Sequence, residues 1–270
     1  MANRAILVGV NRYRIPGADL KGCINDVTNV RDILLKYYGF TVREIRALTD
    51  ERATKKNIVD RLRWLVKNAK PGDRLLFHFS GHGSQIRDRD GDELKDRMDE
   101  ILCPHDMDWE GTYIVDDELR DIFGPLPKGA NLEVLLDSCH SGTGTREAMA
   151  IAALPEERAF QPRFLPPPVD IQLREEDGLE EKKILRGANP EKHVLFAACR
   201  DNQTSADASI GGSFNGAFTY YFCKHVRDAG GGLNRAELLN RVRASLKFNG
   251  FSQVPQLECP RAERKKGILE

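Results

Sequence analysis

The chain has no apolar run approaching the ~20 residues that span a bilayer. Its opening, Met1–Asn11, lacks the basic start, longer apolar stretch and small-residue cleavage site of a signal peptide. No membrane association and a cytoplasmic location are therefore expected. An excess of positive charge is also missing, since Lys and Arg total 41 and so do Asp and Glu. A nucleic-acid binder that relies on a broad positive field needs clustered surplus cations, so no nucleic-acid partner is expected. The basic Arg261–Lys266 reads as a solvated end. Neither G-x-G-x-x-G nor a phosphate loop occurs in Val8–Gly22, after the first apolar run, which argues against a bound nucleotide or other organic cofactor. The six cysteines (23, 103, 139, 199, 223, 259) show no close paired spacing and read as free thiols in a reducing compartment. Cys103 and His105 lack two further close ligands for zinc. No internal repeat is present.

What is there is ordinary globular material: 270 residues, 40% of them apolar and 30% charged. Short apolar runs alternate with helical spacing. Ala5–Val10, Thr41–Leu48, Arg74–Phe79, Leu132–Leu136, His193–Cys199 and Gln253–Leu257 read as strands, the last favouring an edge because of Pro255. Asp19–Tyr38, Lys55–Lys70, Phe214–Val226 and Arg235–Leu246 read as helices, with a short strand–helix piece around Tyr113–Phe123. Arg87–Glu100 is very acidic and unlike an element. Alternation of this kind predicts an α/β sandwich with a mostly parallel sheet.

The pattern breaks over residues 143–190. This stretch holds Pro155, Pro162, Pro166, Pro167 and Pro168 of the chain's 13 prolines, then the charged run Arg174–Lys183. So long an interruption inside a compact domain is usually a functional loop or a disordered segment.

Two strand ends carry reactive groups, at the place where open α/β sheets gather ligands. LLFHFSGHG (75–83) sets His82 just past a strand between two glycines, and VLLDSCHSG (134–142) sets Cys139 just past another. Side chains on a strand alternate, so Ser80 should point with His82 and Asp137 with Cys139. An imidazole beside a thiol promotes the nucleophilic thiolate and later protonates a leaving amine. The main-chain N–H groups of Cys139 and Gly83 are candidates for holding the oxyanion. Asp137 ends an otherwise apolar strand, where an unpaired charge would be costly.

HFSGHGS and DSCHSG resemble the histidine and cysteine motifs of the caspase-like clan, in the metacaspase version (peptidase family C14). The separation of His82 and Cys139 is close to the ~50 residues of a caspase-type pair, although the animal-caspase Q-A-C-x-G is absent. LKGCINDV (20–27), DEILCPHDMD (99–108), IVDDEL (114–119) and QTSAD (203–207) agree with the same resemblance.

The resemblance implies a caspase-like fold with a six-stranded sheet in an α/β/α sandwich. It implies a single catalytic domain: a large-subunit-like part at 1–142, an insert at 143–190 and a small-subunit-like part at 191–270. It implies an endopeptidase, acting as a monomer on proteins or peptides, that cuts after Arg or Lys through His82 and Cys139. Asp26, Ser80 and Asp137 would line the pocket for the residue before the cut. A calcium site would use Asp99, Asp116 and Asp117, with Glu147 in place of the family's fourth carboxylate. Asp88, Asp90, Asp92 and Asp99 mimic an EF-hand loop only by chance, since Glu93 stands at its glycine position. The insert offers Lys182, Lys183 and Arg186, as well as Arg146 and Arg163, for self-cleavage. The alternative to an enzyme is a catalytically silent caspase-like binding or regulatory protein, which would typically have lost His82 or Cys139.

Overall fold

The computed structural model describes residues 1–87, 98–139, 160–171, 193–200 and 203–270. In chain order its elements begin with β1 (Asn3–Gly9), α1 (Cys23–Tyr37), β2 (Ile45–Thr49), α2 (Lys55–Val66) and β3 (Arg74–Ser80). Then come β4 (Gly83–Arg87), β5 (Met98–Leu102), β6 (Ile114–Val115), α3 (Asp116–Phe123) and β7 (Asn131–Asp137). The remainder is β8 (Gln161–Pro162), β9 (Val194–Ala197), β10 (Ala206–Ile210), β11 (Ser213–Gly216), α4 (Ala217–Asp228), α5 (Arg235–Phe248) and β12 (Gln256–Glu258).

The six strands expected from the apolar runs form one sheet in the order β12-β9-β7-β3-β1-β2. All neighbours are parallel except β12, which runs antiparallel to β9 at the edge. Alternate residues of the central strands feed two apolar layers. Ile6, Val8, Leu75, Phe77 and Phe79 pack on the side of Ile58 and Leu62 from α2 and Phe123 from α3. Ala5, Leu7, Leu76 and Leu135 pack on the side of Val30 and Leu34 from α1, Phe218 and Phe222 from α4, and Leu238 from α5. A parallel sheet covered on both faces explains why these strands read as continuous apolar runs.

Local readings shift in several places, among them the helix read as Lys55–Lys70, which ends at Val66, and the strand read from Gln253, which begins at Gln256. The helix expected from Asp19 starts at Cys23, because the N–H groups of Lys21 and Gly22 donate to Asp207 Oδ2 and that of Cys23 to Asn11 Oδ1. Thr41–Leu48 enters its strand only at Ile45, after a 3-10 turn over Val42–Glu44 capped by Thr41 and Glu44. Phe214 lies in β11, not in a helix, because β10 and β11 form a hairpin through Gly211 and Gly212. Both glycines have positive φ, 65° and 86°, as a two-residue hairpin turn favours. Finally, the flanks of the acidic stretch are strands: β4 and β5 pair antiparallel from Gly83↔Leu102 to Arg87↔Met98. Residues 88–97 between them lie outside the described residues.

Candidate active site

β3 and β7 are neighbours in parallel register, with Ser80 paired to Asp137 at their carboxyl ends. His82 follows one strand and Cys139 the other, so the two motifs open on the same crevice. Into it runs the segment 160–165 of the insert. β8 pairs antiparallel with β10, and Arg163 N–H donates to Ser205 O at 2.9 Å. The Arg163 carbonyl oxygen accepts from Gly83 N at 3.0 Å and from Cys139 N at 3.2 Å. Two converging main-chain donors on one carbonyl are the geometry of an oxyanion hole.

The Arg163 side chain is fully buried. Its Nη1 donates to Ser80 Oγ at 2.8 Å and to the Asp137 carbonyl at 3.1 Å, and lies 3.3 Å from Asp137 Oδ1. Its Nη2 donates to Asp26 Oδ2 at 2.8 Å and to Asp207 Oδ1 at 3.1 Å. A planar guanidinium with its two forks on separate acids suits arginine better than the single point charge of lysine. The acids are themselves held in place. Asp137 accepts from Ser205 Oγ at 2.6 Å and from Thr219 N and Oγ1 at 2.9 and 2.7 Å. Asp26 accepts from Ser80 Oγ at 2.7 Å and Gly216 N at 3.0 Å. Burial pushes the Asp26 carboxyl up to about 7, against the opposing pull of the Arg163 guanidinium.

His82 is buried, and its Nε2 lies 2.8 Å from the Ala18 carbonyl. A carbonyl only accepts, so the hydrogen sits on Nε2 and the neutral ring leaves Nδ1 as its basic atom. Nδ1 has no hydrogen-bond partner among the described residues. Burial, helped by the Arg163 charge, pulls His82 down to about 4, so the ring is neutral at pH 7. Tyr13 braces the loop as an acceptor: the His82 N–H donates to Tyr13 Oη at 2.8 Å. Cys139 is buried, and its Sγ takes its contacts from Ser205, accepting from the N–H and lying 3.7 Å from the carbonyl oxygen. Cys199 sits beside it, 3.8 Å from the Ser138 carbonyl. Interaction with the Cys139 side chain, together with burial, pushes the Cys199 thiol upward.

The chain is similar to known proteins. The metacaspase, peptidase C14 domain family matches residues 3–146. Metacaspase-1 of Schizosaccharomyces pombe is 34% identical over 290 residues, covering 95% of this chain and 67% of that protein. Metacaspase-1B of Neosartorya fischeri is 35% identical over 286 residues, covering 95% of this chain and 68% of that protein. The chain belongs to the metacaspase family. Caspase-1 from Spodoptera frugiperda shares the fold of this metacaspase, with a TM-score of 0.60 and 15% identity over 95% of the chain and 86% of its own. Protein GSU0716 from Geobacter sulfurreducens superposes with a TM-score of 0.71 at 24% identity, with both chains fully covered. The family is one of cysteine peptidases, and the caspase-like α/β fold expected from the motifs is the fold observed.

The metacaspase structure brings together Asp26, Ser80, His82, Gly83, Asp137 and Cys139, all named from sequence. Two further pocket residues escaped that reading, and the residue that fills the pocket was named only as one of several self-cleavage candidates. Asp207 lies in QTSAD, quoted for its resemblance but given no role. Gly216 leaves no room for a side chain, since a Cβ there would stand 2.3 Å from Asp137 Oδ2 and 2.4 Å from Arg163 Nη1. Arg163 stood among several basic residues of the insert with nothing to single it out. Of the acids named for calcium, Asp99 is buried on β5, and Asp116 and Asp117 open α3, where Asp117 pairs with Arg120. Glu147, Arg146, Lys182, Lys183 and Arg186 lie outside the described residues.

Proposed function

We propose that this metacaspase is an endopeptidase that cuts after arginine, and less readily after lysine, and that its first substrate is its own Arg163–Phe164 bond. The observation that carries this reading is the seating of Arg163: side chain among three carboxylates, carbonyl oxygen on the Gly83 and Cys139 N–H groups. In the proposed reaction His82 Nδ1 takes the Cys139 proton and Sγ bonds to the Arg163 carbonyl carbon. The developing oxyanion is held by the two N–H groups already on that oxygen. Collapse breaks the bond to Phe164 nitrogen, which receives the proton from His82. Water then hydrolyses the thioester and releases the new Arg163 carboxylate.

The test is incubation of wild type and Cys139→Ala, followed by intact mass and amino-terminal sequencing, beside hydrolysis of coumaryl-amide peptides ending in Arg, Lys or Asp. A new terminus at Phe164 and hydrolysis of the Arg peptide, both lost in Cys139→Ala, are expected. An intact wild-type chain with no hydrolysis of the Arg peptide would favour a silent, caspase-like binding protein instead.

Calcium activation is a separate proposal. Among the described residues no group of three or more acids, cysteines or histidines is arranged to hold a metal. A calcium ion on Asp99, Asp116 and Asp117 would have to draw Asp117 away from Arg120 and recruit oxygen from elsewhere, with Glu147 the donor the sequence offers. Calcium titration of both self-cleavage and Arg-peptide hydrolysis tests it, and a flat response rejects it. A monomer acting in the cytoplasm on protein substrates completes the proposal. No helix among the described residues is long and apolar enough to cross a membrane.

A further inference from the structure

The segment that fills the crevice does not stop at Arg163. Beyond the carbonyl held by Gly83, the chain runs parallel to the start of β4, with Phe164 bridged to Gly83. The Leu165 N–H donates to the Gly83 carbonyl at 2.9 Å. Gly83 therefore grips both sides of one peptide bond: its N–H holds the oxygen before the bond, and its C=O holds the second amide after it. Ser84, fully buried, donates its Oγ to the Leu165 carbonyl at 2.6 Å. The Leu165 side chain is buried in the same apolar cluster as Ile86 of β4 and Ile101 and Leu102 of β5, whereas Phe164 is half-buried and Pro166 exposed.

This is strand addition to a free sheet edge, in which main-chain bonds set the register and every second side chain meets the protein. From it we infer that the edge of β4 is a subsite for the residues after the cut. It accepts an aliphatic side chain at the second position and requires an N–H there. Ser84 is its positioning residue, donating to the main-chain carbonyl of that second residue. The inference rests on the reading of Arg163 as the residue before the cut. It adds a constraint that the acidic pocket does not impose. A protein with an accessible arginine would be cut well only if the second residue beyond it is aliphatic, and not at all if that residue is proline.

The test uses the wild-type full chain and internally quenched peptides copying residues 160–168, with Leu165 retained, Leu165→Asp or Leu165→Pro. A peptide ending in Gln-Pro-Arg-coumaryl amide, which has no residues after the cut, reports the arginine pocket alone. With Leu165 retained, cleavage between Arg and Phe is expected. Leu165→Asp should lower kcat/KM by about tenfold or more, as loss of a hydrophobic subsite contact does, and Leu165→Pro should abolish cleavage. Hydrolysis of the coumaryl amide with all three longer peptides cut at rates within about twofold would overturn the subsite and leave the arginine reading intact. Failure to cut the coumaryl amide and every longer peptide would overturn both. Ser84→Ala provides a second reading. It should lower kcat/KM for the Leu165 peptide more than for the coumaryl amide, and an equal effect on both would count against a role for Ser84 beyond the fold.

Discussion

Arg163 and Asp26 stand 137 positions apart in the chain, and their side chains meet at 2.8 Å in a fully buried ion pair. Burial of charge is costly, and the Coulomb attraction offsets it only where the remaining hydrogen-bonding capacity is filled. Here it nearly is: Asp26 also takes Ser80 and Gly216, while Arg163 also takes Ser80, Asp137 and Asp207, leaving its Nε without a partner among the described residues. A pocket built this way discriminates by the cost of misfilling it. An apolar side chain in it would leave three carboxylates without a counter-charge.

Asp207 should therefore matter as much as the two acids that the motifs reveal. Asp207→Asn is expected to lower kcat/KM for an Arg peptide by about 30-fold or more, corresponding to ~2–5 kcal/mol for truncating one partner of a buried charge pair. Steady-state kinetics with Arg and Lys coumaryl amides measure it. An effect below about threefold would remove Asp207 from the pocket.

Gly216 is expected to tolerate no side chain. Gly216→Ala would put a Cβ at 2.3 Å from Asp137 Oδ2, a distance that forces the pocket wall to move. Loss of both self-cleavage and Arg-peptide hydrolysis, with circular dichroism and the cooperative unfolding transition retained, is the expected outcome. Activity near that of wild type would mean that the pocket of the working enzyme is wider than the one described.

The pH dependence follows from Asp26. Its carboxyl is raised to about 7 with arginine present, and an empty pocket lacks the guanidinium that pulls it down. Arginine binds the ionised form better, so kcat/KM for an Arg peptide should climb as pH rises through about 7 and beyond. His82, neutral above about 4, does not limit this range. The stability sign is opposite. The folded state binds a proton on Asp26 that the unfolded chain releases near the ordinary carboxylate value, so this contribution declines as pH rises from about 4 to about 7. Asp26→Asn should flatten the kinetic limb as well as lowering the rate. A pH profile with the same limb in that variant would assign it to another group.

The carboxyl terminus is held by a second buried pair, remote from the crevice. Glu133 on β7 accepts from Arg235 Nε at 2.7 Å and Leu269 N at 3.0 Å, while Arg235 Nη2 donates to the Glu270 carbonyl at 3.1 Å. Burial pushes the Glu133 carboxyl up, with the Arg235 charge opposing. Arg235→Met should cost about 3–5 kcal/mol, because it strands a buried carboxylate. Urea unfolding measures the loss, and Glu133→Gln combined with Arg235→Met should recover part of it.

Much of this protein was written in its sequence, for identifiable reasons. Strands covered on both faces are largely apolar, so the inner sheet strands β1, β3, β7 and β9 stood out, and reactive residues just past two of them marked the crevice. Asp137 stood out as a charge closing an apolar strand, but its place in the pocket came from resemblance to the family. Asp26 and Ser80 came from resemblance to the family, and His82 with Cys139 from both. The hairpins were not legible: β4, β5, β10 and β11 are short, polar and half-covered, and their pairing depends on partners elsewhere in the chain. Nor could the sequence single out Arg163 among the basic residues of its insert. Local chemistry makes every arginine alike. Only the fold, by bringing Asp26, Asp137 and Asp207 from three separate elements around one guanidinium, distinguishes the arginine that lies in the pocket.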